Sequence, residues 1–269
     1  MKKAATSFAA LAVVLTGCAV FGGPLEKTAA KLGDIRSGVL EMRLVAATPA
    51  GQRTGFELRG PFAMPEGDGL PLADLTYTRF AGTAEDTFGF ISTGKAAFIK
   101  VGGRAYVLPD ERVQSMRGSE GAGSRGPFSG LDLDDWVPDS EVVVSKHNSQ
   151  TETVTGDLDV VAAVNDLLGI AREYGGVDRP EIEGEDADLL RRAVRQAHLE
   201  LVTGKEDRIL RSLAVTVELG ADPPEAFKKA LEGISGVSFT LELKLTEPNS
   251  EVAVEAPADP LPYESLGKR

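Results

Sequence analysis

Residues 237–245 alternate without a break. Val237, Phe239, Leu241, Leu243 and Leu245 are apolar, and Ser238, Thr240, Glu242 and Lys244 between them are polar. Successive side chains of a strand point to opposite faces, so this pattern describes a strand with one face buried and the other in water. A helix would spread the same leucines around its circumference. The pattern recurs earlier in the chain. Leu40, Met42 and Leu44 alternate with Glu41 and Arg43, Phe56 and Leu58 with Glu57 and Arg59, and Leu75 and Tyr77 with Thr76 and Thr78. Phe88 and Phe90 flank Gly89. Residues 98–101 and 105–108 enclose Gly102-Gly103, which reads as a two-residue hairpin turn. About six strands follow one another through short turns, which implies an antiparallel sheet.

Such a sheet needs a cover for its apolar face, and the middle of the chain supplies helices. Residues 25–32 read as a turn or two of helix, with Leu25, Ala29 and Leu32 on one face. Residues 117–130 are rich in Gly and Ser and read as a loop. Leu131, Leu133 and Trp136 then resume packing, and 151–158 reads as a strand. Asp159 is placed to cap a helix that ends at Gly175-Gly176. Its residues Val160, Val164, Leu167, Leu168 and Ala171 form one apolar stripe. A second helix is expected over 186–196, with Leu189, Leu190 and Val194 inward. Strands are expected at 198–202 and 209–219, and a helix at about 225–231 after Asp222-Pro223-Pro224. Residues 248–269 hold several prolines and little pattern, and are expected to form a loosely ordered tail. Strands, helices, then strands again make one α+β domain over 25–247.

The N-terminus bears on location. Met1-Lys2-Lys3 is basic, Ala4 to Thr16 is apolar or small, and Leu15-Thr16-Gly17-Cys18 follows. That is the layout of a signal peptide over residues 1–17, too short for a transmembrane helix. The motif resembles a bacterial lipobox. The resemblance implies cleavage before Cys18 and acylation of that residue, with 18–24 as a lipidated tether. Two or three acyl chains anchor stably where one does not. The expected location is the extracytoplasmic side of the cell membrane.

Composition excludes several functions. Asp and Glu total 41 against 29 Lys and Arg, a net charge of −12, so a nucleic-acid partner is not expected. One Cys and two His leave no thiolate or histidine-rich metal site, and neither a metal nor a cofactor is expected. The run Gly89 to Gly94-Lys95 has the spacing of a phosphate loop, but Ala96 stands where a Ser or Thr is needed, and Phe90-Ile91 reads as strand. The run Gly121 to Gly126 has dinucleotide-loop spacing without the flanking strand and helix. His147 and His198 lack partners, and the acidic clusters at 132–135 and 181–188 lack the calcium-loop pattern. Without a nucleophile elbow either, no catalytic residues are assigned and an enzyme is not expected.

The order of strands, loop, helices, strands on a lipobox anchor resembles the LppX/LprG group of lipoproteins and, more remotely, LolA-like carriers. The residues that carry the likeness are 37–44, Gly102 to Leu108 and the final alternating strand. The resemblance implies an antiparallel sheet curled into a half-barrel, with helices against its concave face. It also implies a lipid or glycolipid carrier. The residues themselves leave two alternatives. Leu40, Met42, Leu44, Phe56, Leu58, Phe88, Phe90, Phe239, Leu241 and Leu243 offer one apolar face, and Val164 and Leu168 the opposing one. If the faces meet fully they form an ordinary core; if the sheet is strongly curved they leave a gap for acyl chains. In the first case the chain would be an interaction lipoprotein that presents a surface to another envelope protein.

Overall fold

The computed structural model describes residues 23–65, 67, 69–117, 126–138, 142–146, 148–175, 180–220 and 237–266. The expected signal segment, Cys18, His147, the helix expected at 225–231 and most of the 117–130 loop lie outside them.

The alternating segments form the expected strands. β1 (Ser37–Ala47), β2 (Arg53–Ala63), β3 (Leu72–Ala81), β4 (Ala84–Thr93), β5 (Ala97–Val101) and β6 (Arg104–Val107) meander in sequence order. Gly102 and Gly103 both take positive φ, 56° and 77°, so the β5–β6 connection is the tight turn that only such residues allow. Later come β7 (Val143–Lys146), β8 (Thr151–Asp157), β9 (Val194–Gly204), β10 (Leu210–Leu219), β11 (Ser238–Thr246) and β12 (Leu261–Pro262). β11 pairs with β1, which joins the two halves into one sheet of order β12-β6-β5-β4-β3-β2-β1-β11-β10-β9-β8-β7. Among the described residues the sheet is open, curled and antiparallel, except that β12 runs parallel to β6.

Five helices accompany it among the described residues: α1 (Pro24–Ala29), α2 (Asp110–Met116), α3 (Leu133–Trp136), α4 (Val160–Gly175) and α5 (Gly184–Ala193). Asp159 caps α4 as expected, its Oδ1 accepting the N–H groups of Val161 (2.9 Å) and Ala162 (3.2 Å). The second helix is shorter than the 186–196 expected. Val194 is already extended and pairs with Leu219 in β9, because inter-strand hydrogen bonds capture this segment before a further helical turn can form. The tail differs too. Ser37 Oγ donates to the Ser250 carbonyl (2.6 Å), and Leu261–Pro262 pairs with Tyr106–Val107. Those hydrogen bonds tie a segment with no hydrophobic period to the sheet.

Register fixes which side chains share a face. Leu44 lies opposite both Leu241 and Phe56, and Met42 opposite both Leu243 and Leu58. The face bearing Leu40, Met42 and Leu44 therefore runs across Leu213, Val215 and Val217 of β10 to Leu199 and Leu201 of β9. The main core forms there under α1, α3, α4 and α5. A second, smaller cluster of Leu70, Ala97, Leu108 and Val113 sits under α2.

Candidate functional site

The helices do not fill the curve of the sheet. Between them lies an apolar cavity of about 310 Å³. Its floor is Leu44 of β1, Phe239 and Leu241 of β11, and Val215, Val217 and Leu219 of β10. Its roof is Val160, Ala163, Val164 and Leu167 of α4, with Leu190 of α5. Trp136, Leu158 and Ile182 complete the wall, so every lining side chain is aliphatic or aromatic.

Strand alternation makes the floor: Val215, Val217 and Leu219 are every second residue of β10, as are Phe239 and Leu241 of β11. Helical period makes the roof, since 160, 163, 164 and 167 fall on one face of α4. Leu167 lines the cavity and is also 40% exposed, so the cavity reaches solvent beside it. Ile182, also in the wall, is half-buried. Asn165 donates its Nδ2 to the Ile182 carbonyl (3.1 Å) and accepts the Ile182 N–H at its Oδ1 (2.7 Å).

Four of the twelve expected lining residues stand in the wall: Leu44, Val164, Phe239 and Leu241. Leu243 is buried, with Leu40 and Met42 packed beside it, in the solid core further along the same face. Leu168 is half-buried on α4 outside the wall. Phe56, Leu58, Phe88 and Phe90 lie on the correct face but not at the cavity. α4 and α5 sit over β1, β11 and β10, and leave β2–β4 aside. Phe56 stacks on Tyr77 at 5.6 Å, Phe88 is 41% exposed, and Phe90 packs against the α2 cluster. Val215, Val217 and Leu219 were accessible to the same alternation argument. Trp136, Leu158 and Ile182 carry no periodic signal, since each lies outside the long periodic elements.

The other sequence features are placed as follows among the described residues. Gly89 to Lys95 is the end of β4 and a turn, with Gly94 at φ 80°. His198 sits in β9 opposite Thr216. Glu181 pairs with Arg172 (2.9 Å) and Asp188 with Arg191 (3.6 Å). No cluster of three metal-ligating side chains occurs among the described residues, and no helix among them is long and apolar enough to cross a membrane.

No family model and no curated protein matches the chain. Among solved structures it is similar to LprF from Mycobacterium bovis, at 11% identity and a TM-score of 0.44, over 87% of this chain and 95% of that one. It is also similar to the LolA superfamily protein NE2245 from Nitrosomonas europaea, at 10% identity and a TM-score of 0.21, over 88% and 94% of the two chains. The open, curled antiparallel sheet with helices against one face is the architecture that the sequence resemblance implied.

Proposed function

We propose that the chain is a lipid-anchored envelope protein, acylated at Cys18, that binds an acyl chain of a lipid or glycolipid in the cavity between β1, β10, β11 and α4. The cavity carries this reading. At about 310 Å³ it stands at the lower end of ligand pockets, roughly 300–1,000 Å³. Its lining offers hydrocarbon and no hydrogen-bond partner, which suits an alkyl chain and disfavours a polar solute. Held dry and empty, such a volume would cost about 7 kcal/mol at roughly 24 cal/mol per Å³. Whole domains are stable by only about 5–15 kcal/mol. Hydrocarbon entering the space removes that cost, and the exposed flank of Leu167 gives it a way in.

The test is native mass spectrometry of the full chain purified without detergent. Added non-covalent mass of acyl lipid, or uptake from a lipid extract, is the expected result. A bare protein that takes up nothing overturns the proposal.

A further inference from the structure

Ile182 lines the cavity from residues 180–183, a segment with no regular secondary structure. One side chain binds the backbone of this segment. The Asn165 amide meets both backbone groups of Ile182, donating to its carbonyl at 3.1 Å and accepting from its N–H at 2.7 Å. At neutral pH, where carboxyls are ionised, only the primary amides carry a donor and an acceptor side by side in this way. With its backbone pinned to α4 in this way, Ile182 lines the cavity while remaining only half-buried, so its side chain stands between the cavity and solvent. The segment's other side-chain tie among the described residues is the exposed Arg172–Glu181 pair, and exposed pairs hold weakly. Gly184, at φ 55°, follows directly and gives the backbone an unencumbered pivot at the start of α5.

We infer that Asn165 is a positioning residue for the acyl site: its two hydrogen bonds hold Ile182 as the closing wall of the mouth, and an acyl chain enters and leaves when they release. This rests on the reading of the cavity as an acyl site. Closing remakes the same bonds with or without ligand, so the clamp governs exchange rate more than affinity.

Asn165→Asp tests it. Protonated, the aspartic acid offers one C=O acceptor and one O–H donor and reproduces the clamp. Ionised, it offers no donor and faces the Ile182 carbonyl with like charge. The other charged groups nearby are Asp166 and Arg172 on α4, Glu181 and Glu183 on the segment, and Glu185, Asp186, Asp188, Arg191 and Arg192 on α5. All are present in the wild type, so the comparison isolates position 165. The probe is cis-parinaric acid, a polyene fatty acid read by energy transfer from Trp136, the chain's only Trp. At neutral pH the variant is expected to take up and release probe about tenfold faster than wild type, as for two lost hydrogen bonds. Its rates should return to the wild-type values in acid, with equilibrium affinity little changed. Ile182→Ala keeps the backbone bonds, removes the wall, and should also speed exchange. Wild-type rates in both variants overturn the clamp while leaving the acyl site standing. No probe uptake by the wild type overturns the acyl reading and the clamp with it.

Discussion

The indole Nε1 of Trp136 donates to Asp166 Oδ2 at 2.8 Å, and the same oxygen accepts the backbone N–H of Asp132 at 2.6 Å. Trp136 is fully buried and lines the cavity, so one carboxylate on α4 fixes both α3 and a wall of the candidate site. Asp166→Ala leaves the buried indole N–H without an acceptor. Such an orphaned donor costs about 1–3 kcal/mol. A lowered melting temperature and a changed Trp136 emission should appear together in thermal and fluorescence scans. An unchanged melting temperature would mean the bond is not holding α3.

Filling the cavity should separate ligand binding from stability. Val215→Phe adds volume where the floor faces open space, and Phe suits a strand. In a packed core that change would strain its neighbours by about 1–3 kcal/mol. Here the melting temperature should hold or rise while fatty-acid probe binding falls at least about tenfold by titration. Destabilisation with binding retained would mean the space is not where the chain enters.

Gly60 sits in β2 at φ 141°, and a Cβ there would lie 2.0 Å from the Asp74 carbonyl oxygen. Gly60→Ala therefore both strains the backbone and pushes β2 from β3. The expected loss is about 1–3 kcal/mol in chemical denaturation, larger than for an exposed strand position.

Acid should weaken the β9–β10 turn. Burial by itself would raise the Asp207 carboxyl. The Ile209 N–H (3.1 Å) and the Arg211 guanidinium outweigh it and hold the group below its ordinary value. A depressed carboxyl contributes stability above its unfolded value, and that stability is lost as pH falls through the folded one. Asp207→Asn should thus be less stable than wild type near neutrality, by less than about 1 kcal/mol for so exposed a group. The gap should close below the ordinary aspartate range. Parallel denaturation curves at neutral and acid pH check both halves.

The C-terminal segment contributes to the second cluster. Arg112 of α2 lies over the Tyr263 ring at 4.6 Å, and Tyr263 packs against the Leu70–Leu108 group. Tyr263→Ala should cost of order 1 kcal/mol and raise amide exchange in α2 while β9–β11 keep their protection.

Alternation alone determined much of this protein. The sequence places Leu40, Met42, Leu44, Phe56, Leu58, Phe239, Leu241 and Leu243 on one face, because strand geometry leaves no other choice once the pairing is antiparallel. It also marked the Asp159 cap, whose side chain and helix are local neighbours. α2, β7 and β12 were not legible: each is short, α2 and β12 are held by residues distant in the chain, and β7 is an edge strand paired only with β8. The site divides the same way. Which inward residues border a cavity depends on where α4 and α5 come to rest, over β1, β11 and β10 rather than β2–β4. That choice, like the capture of Ile182 by Asn165, is made by contacts between segments that carry no shared period, so only the folded chain decides it.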